Sequence, residues 1–419
     1  MRKICKTAAL LLAALSPLLS DDLDRETGVT TIRESIGEVV PIEHARAQFR
    51  AGYIQVNNKN NTVTDTKAFA LGGRVHLSSK RWHGIKAAVE LYTVQDMGFA
   101  ESDPLKREPT FFDAEGTGFS TLSQAYIDAV FADSEIKIGR QMIDTPHADS
   151  DDIRMMPNYF MAYTLENRSV DGLTLSFGKI EQMAGWENGV DAPKFVNVAL
   201  SYGAAESSDG IYYASAIYEV GEEGVAQAWY YKISDIADLF YLEAATELFA
   251  AAAHTVVGIQ FDRATGSGDK LLGEVDSSTW GVSLFTRFLE SGFSIYAAYN
   301  KESGESGAFA SLGGGPFFTS LEDQTLDAIG TKGRAWSASA IYDFADLDFE
   351  GFNGSLSYGS FKANDSTLYD TIETDITLSY DISDKLDITL AYALIDDRTA
   401  SNGDYTQVRF IARYNFEGP

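Results

Sequence analysis

Cysteine is almost missing from this chain. The single one, Cys5, lies in a stretch that reads as a secretory leader, so the exported protein has neither disulfide nor thiol chemistry. Arg2, Lys3 and Lys6 form the leader's basic region, and Ala8–Leu19 its apolar region. That apolar region is too short to span a bilayer as an anchor. Residues 1–20 are therefore expected to be a cleaved signal peptide, and residues 21–42 a short polar, acidic periplasmic lead. No later segment approaches 18 uninterrupted apolar residues, which excludes a transmembrane helix. Basic residues are also in short supply, 33 Lys and Arg against 61 Asp and Glu. Loss of the leader removes three of the basic ones and leaves a formal charge of −31. Such acidity argues against nucleic-acid binding, which wants basic patches. The five histidines lack metal-ligand spacing, and there is no Gly-x-Ser-x-Gly elbow or Walker loop. An enzyme is not expected, nor a cofactor or metal.

What the chain does have is alternation. In Tyr405–Phe416, Val408, Phe410, Ala412, Tyr414 and Phe416 form one face. Gln407, Arg409, Ile411, Arg413 and Asn415 form the other, polar except for Ile411. A strand sends successive side chains to opposite faces, so this segment has one apolar and one largely polar face. The pattern recurs from residue 43 to 416, giving 19 strand candidates, of which Phe195–Tyr202 is the weakest. Bacterial single-chain membrane barrels use even strand numbers, so about 18 strands are expected. Short junctions such as Ala132–Ser134 and Asp381–Lys385 alternate with long ones: Gln95–Thr121, Ile143–Tyr159, Arg263–Ser278 and Lys301–Arg334. Within the last, Ser320 is expected to cap a helix over Ser320–Ile329. Proline is scarce, at 9, while Tyr (21) and Phe (25) are plentiful, as barrel girdles require. A soluble β-sandwich or propeller is the rival, but no repeat near 40–50 residues supports it. The expected fold is all-β: a transmembrane antiparallel barrel of about 18 strands with long extracellular loops.

Parity then assigns faces. A basic side chain at mid-membrane on the lipid side costs about 2–4 kcal/mol, so strand arginines should point inward. By that rule Arg46, Arg50, Arg74, Arg287, Arg409 and Arg413 line the lumen. In a closed barrel the first, second and last strands are neighbours, so all of these but Arg287 should share one wall. Guanidinium forks bind carboxylates through two bonds, which suits stepwise passage of an organic anion. The same arginines could instead brace the barrel by pairing with Glu90, Asp128, Glu373, Asp375 and Asp387.

One segment is more specific. Gly139-Arg140-Gln141 is followed by Thr145-Pro146, Asp151-Asp152-Ile153-Arg154-Met155-Met156-Pro157, Phe160 and Asp171-Gly172-Leu173. This resembles the region around the third extracellular loop of OprD-type porins; the chain is also broadly similar to epsilonproteobacterial major outer-membrane porins. The resemblance implies an 18-stranded barrel with a narrow pore, an inward-folded constriction loop and a basic ladder that guides small carboxylates. Asp144, Asp149, Asp151 and Asp152 would then face the arginine wall, with Arg140 and Arg154 anchoring the loop and Pro146 and Pro157 stiffening it. Otherwise the loop is external and gathers cations or lipopolysaccharide counter-ions. The expected function is passive diffusion of small hydrophilic solutes or organic anions across the bacterial outer membrane. Lipid and lipopolysaccharide would be the surroundings, and a homotrimer is left open. A cation-preferring porin and a non-conducting surface barrel remain alternatives.

Overall fold

The computed structural model describes residues 42–417 except 61, 222, 251, 290 and 402, with backbone alone at 417. The expected leader and nearly all of the lead lie outside the described residues. Nineteen strands form one antiparallel sheet that closes through β1 (Ile42–Asn58) pairing with β19 (Tyr405–Glu417). Eighteen of them span. The exception is β8 (Val196–Asn197), a two-residue bridge followed by one helical turn at Val198–Ser201. That is the segment where the alternation is weakest: Val198 and Ala199 pack into a loop rather than continuing a face.

The other strands are β2 (Thr66–Ser79), β3 (Ile85–Gln95), β4 (Gly118–Phe131), β5 (Ser134–Gln141), β6 (Tyr159–Val170) and β7 (Leu173–Ala184). They continue as β9 (Ile211–Val220), β10 (Gly224–Ile233), β11 (Ala237–Ala250), β12 (Ala253–Gly266), β13 (Asp276–Phe288) and β14 (Phe293–Glu302). The last group is β15 (Arg334–Asp343), β16 (Phe352–Lys362), β17 (Asp370–Ser383) and β18 (Leu386–Asp397). Each pairs with its sequence neighbour, β7 pairing with β9 across the short β8.

Polarity is inverted relative to a water-soluble fold. Ile127, Ile138, Leu242, Ile259, Val282, Leu284 and Leu390 are exposed on the outer surface, whereas Arg50, Asp128, Glu373 and Arg409 are buried inside. Closure satisfies every strand's backbone and leaves no edge, as a hydrocarbon solvent demands. Trp82, Phe131, Phe249 and Phe349 stand exposed at the end with short turns. Trp280 and Trp336 do so towards the end with long loops.

The lumen is where the packing lies. Four of the long loops fold inward: residues 96–117 (L2), 142–158 (L3), 185–210 (L4) and 303–333 (L7). Their apolar side chains make three buried clusters with the walls. L2 places Phe111 and Phe112, and L3 places Met155 and Met156, against Ile54, Tyr92 and Ile411. L7 places Phe309 and Leu312 against Tyr213, Trp229, Tyr231 and Tyr241. Further along, Phe317, Leu326 and Ile329 of L7 meet Ala335 and Phe361. Gly52 of β1 is needed for the first of these clusters, since a Cβ there would lie 2.4 Å from the Met155 sulfur. The expected helix over Ser320–Ile329 is not formed. Only Leu326–Ile329 makes a 3-10 turn, begun at Thr325, because residues 321–324 are drawn into a tight turn against the wall.

Candidate functional site: a loop-filled constriction and its basic wall

The register sets the order of the basic column. Arg409 of β19 stands beside Ile54, Arg413 directly opposite Arg50, Gln48 between Arg74 and Asn415, and Arg46 opposite His76. Rungs two residues apart are separated by about 7 Å along a strand. Arg409, the Arg50–Arg413 pair, Arg74 and Arg46 thus descend from the loop end to the end carrying both termini. Arg287 is not part of this column. It sits on β13 across the barrel, opposite His254 near the short-turn end, and is exposed. Parity can assign its face but not its wall.

The upper rungs are occupied by L3. Residues 151–155 run through the lumen without a strand partner, so their carbonyls need donors from elsewhere. Trp186 Nε1 donates to Asp151 O at 2.9 Å, Arg413 Nη2 to Asp152 O at 3.0 Å, and Arg409 Nη1 to Ile153 O. Arg50 Nη1 donates to Arg154 O at 2.7 Å and Tyr92 Oη to Met155 O at 2.7 Å. Three wall arginines therefore hold successive carbonyls of one loop.

Carboxylates complete the same groups. Arg50, fully buried, binds Asp152 through Nη1 at 2.6 Å and Nη2 at 2.9 Å and also holds Gln48. Arg413 pairs with Asp387 at 2.9 Å. Like charges placed directly opposite on a sheet repel, and the Arg50–Arg413 rung is stable because Asp152 and Asp387 flank it. Arg409 takes Glu322 of L7 through Nε at 2.8 Å and Nη2 at 2.7 Å. Lower down, Arg74 is 3.8 Å and His76 3.5 Å from Glu90, which also accepts from Tyr159 and Ser123. Asp128 pairs with Arg81 and Lys86, not with the column.

Several expected roles change. Of the four aspartates of L3, only Asp152 reaches the wall. Asp144 turns back to Ser150 within its own loop, and Asp149 accepts from Asp151 N. The chain reverses at Asp151, whose φ is 36°, which carries the earlier aspartates away from β1. Arg140 does not anchor L3. It shares the face of β5 that carries the exposed Ile138, donates to Leu122 O at 2.8 Å and lies 4.2 Å from the Phe195 ring. Arg154 leans on the Trp186 ring at 5.0 Å and approaches Glu322 at 3.6 Å. Its Nε and Nη1 have no hydrogen-bond partner although the residue is 5% exposed. Pro146 occupies the turn closed by Thr145 and Ala148, and Pro157 is buried. Among the described residues Glu373 and Asp375 pair with no arginine; they accept backbone N–H groups of L7.

L3 also crosses the lumen. His147, at the turn, meets Asp262 of β12 at 2.7 Å with both groups buried, and Ala148 bridges Leu312 of L7. Gly313, at φ 103°, lets L7 approach so closely that a Cβ would lie 2.1 Å from Asp149 O. Beside this junction stand Asp149, Asp151, Glu187 and Asp327. Burial and the neighbouring Asp149 charge push the Asp151 carboxyl up to about 6, against bonding from Gly314 N–H. Enclosure and the Asp151 charge also raise Glu187, although its side chain is open to lumen water, which damps the shift. For Asp152, burial acts upward but the charge and hydrogen bond of Arg50 outweigh it and hold the carboxyl low. The residues that composition and parity missed are Glu322, Trp186 and His147: each lies in a loop, where alternation carries no face.

Below L3 the wall opens into a recess of about 390 Å³ lined by Arg46, Gln48, Arg74, His76, Glu90, Gln124, Tyr126 and Asn415, among others. No curated protein matches the chain in sequence. Among solved structures it resembles OccK9 (OpdG) of Pseudomonas aeruginosa, with a TM-score of 0.77 and 17% identity, over 89% of this chain and 98% of that one. A BenF-like porin from Pseudomonas fluorescens Pf-5 compares at 0.78 and 16% over the same shares. OpdK of Pseudomonas aeruginosa gives 0.73 and 18%, again over 89% and 98%. Likeness at these identities speaks for the fold. A family model for outer membrane porins of the OprD family matches residues 117–418, well over half of the sequence. With its closed 18-strand barrel, inward loops and inverted polarity, the chain belongs to the OprD family of outer-membrane porins.

Proposed function

We propose that this porin passes small organic anions by diffusion, with carboxylates handed along the basic wall. The observation that carries the reading is the recess under L3. Arg46, Arg74 and His76 line it together with Glu90, whose oxygens are already engaged by Tyr159, Ser123 and Gln124. Arg74 is partly exposed there, whereas Arg50 and Arg409 are consumed by the loops. The volume suits a small solute. OpdK, of the same fold, was solved with vanillate, a carboxylate.

A second reading has its own support. The acidic junction of Asp149, Asp151, Glu187 and Asp327 lies on the extracellular approach and favours cations there. The sign of the reversal potential separates the two. The purified protein is placed in planar bilayers across a KCl gradient, as wild type and as the Arg46→Ala/Arg74→Ala variant. Anion preference that falls in the variant is the expected result. A cation-preferring wild type unmoved by both substitutions would replace this reading with the acidic-junction porin.

A further inference from the structure

Glu322 of L7, like Asp152 of L3, does to the wall what a carboxylate solute would do. Its two oxygens meet Arg409 Nε at 2.8 Å and Nη2 at 2.7 Å, the fork geometry of a bound carboxylate. A second guanidinium, Arg154, approaches the same carboxylate at 3.6 Å. Arg154 is buried, yet its Nε has no hydrogen-bond partner, and its Nη1, at ion-pair distance from Glu322, makes no hydrogen bond. The pair therefore has more donors than Glu322 uses, and an unmade bond on a buried charged group is costly.

The backbone around Glu322 does not depend on that side chain. Glu322 N donates to Asp375 at 3.2 Å, Asp323 N to Glu373 at 2.9 Å, and Gln324 N to Glu373 at 2.8 Å. Leu321 N closes the turn on Gln324 O at 3.0 Å, and Tyr405 and Tyr369 hold the Asp323 and Gln324 side chains. The turn is pinned to β17 and β19 while the carboxylate stands on rotatable bonds. It can leave Arg409 by a rotamer change alone, with Arg409 still held by Ile153 O.

We infer that Glu322 is a tethered competitor for the solute's carboxylate: it fills the Arg409–Arg154 pair in the resting pore, and a permeating carboxylate displaces it. This rests on the carboxylate reading above and adds a regulatory residue to it. The pair is then never left unneutralised, and a solute must outbid a carboxylate already in place. A short tether supplies an effective concentration in the millimolar range. Only carboxylates at comparable concentration, or with further contacts, would enter, and neutral solutes gain nothing from the exchange.

The test is block of KCl current by benzoate in planar bilayers, with arabinose as the neutral control in liposome swelling. Glu322→Gln keeps the shape but loses the charge and one of the two acceptors of the fork. It should lower the half-blocking concentration roughly ten-fold, as removal of a competing internal ligand requires. Arabinose entry should stay within about two-fold of wild type. Asp323→Asn, one residue along and held by Tyr405, should leave benzoate block unchanged. Glu322→Asp keeps the charge but shortens the reach, and should give an intermediate fall; it also serves if the glutamine variant does not reach the heat-modifiable folded form. Equal block in wild type, Glu322→Gln and Glu322→Asp overturns the proposal. So does an equal change in Asp323→Asn, which would make the effect one of general charge. A wild type insensitive to benzoate together with a sensitive Glu322→Gln would sustain the competitor and count against the carboxylate reading for the native pore.

Discussion

The arginines of this barrel are first of all partners for backbone. Arg50 illustrates the energetics: it is buried, and its five donors meet Gln48, Asp152 and Arg154 O. Removing one member of such a buried set costs about 3–5 kcal/mol, because the remaining charge and carbonyl are left unpaired. Arg50→Ala should therefore loosen L3 and give a larger, noisier single-channel current. A quiet current of native size would show that the loop is held without it. Arg50→Lys should not rescue, since an ammonium cannot reproduce the fork. Asp151 gives a pH dependence. Burial raises its pKa to about 6, so the folded chain keeps a proton there that an unfolded chain has lost above about 4. The native state binds more protons in that window, so raising the pH through it lowers the stability of the loop. It also adds negative charge to the approach. Cation permeability relative to chloride should rise between pH 5 and 7.5, and Asp151→Asn should reduce the rise, Glu187 supplying the remainder. A pH-independent reversal potential in the wild type would remove Asp151 from the conducting path.

At the scale of elements, strands and loops obey different rules. Each strand is defined by its own period, and the inner or outer destiny of a residue follows from its neighbours on the pleat. A loop inside the lumen has no such period, and its course follows from which wall donors and acceptors it can reach. L3 is tied at Asp262 on one side and at Arg50, Arg409 and Arg413 on the other, so it is a strut across the pore. L7 is tied to the wall through Glu373, Asp375 and Arg409, shares Arg409 with L3, and meets L3 directly at Leu312. Excising residues 145–152 should raise single-channel conductance. Adding Glu373→Ala to that excision should raise it further, because the turn of L7 then also loses two of its holds on the wall. If the excised protein conducts as the wild type does, L3 lies outside the path of the ions.

For the whole molecule, stability rests on a surface that would be unstable in water. Val282 and Ser283 are consecutive on β13, yet Val282 faces lipid and the Ser283 hydroxyl lies against the position a Gly258 Cβ would take inside. Val282→Arg should cost about 2–4 kcal/mol, and Ser283→Arg much less. Urea titration of the refolded barrel in lipid, read by heat-modifiable gel mobility, checks this. Equal losses would mean that the wall is not set between lipid and water as its polarity implies.

The barrel was legible in the sequence because alternation is a local property. Each segment of a few residues carries its own evidence for a strand and a face, and even the weak candidate Phe195–Tyr202 advertised itself by broken alternation. Closure then made neighbours of the first and last strands, so the column from Arg46 to Arg409 could be derived from parity. What parity could not reach was the use of those arginines. Whether a guanidinium meets water, a wall carboxylate or a loop carbonyl depends on residues 100 to 260 positions away in the chain, brought in by loops without a period. Arg140 shows the limit on a strand: its spacing in the motif is fixed by sequence, but its outward face and its seat on Phe195 are set by β5 and L4. The chain by itself determined a membrane barrel with a basic wall. The tertiary structure decided that L3 and L7 would occupy its upper half, because buried loop backbone must find donors and the wall arginines are within reach.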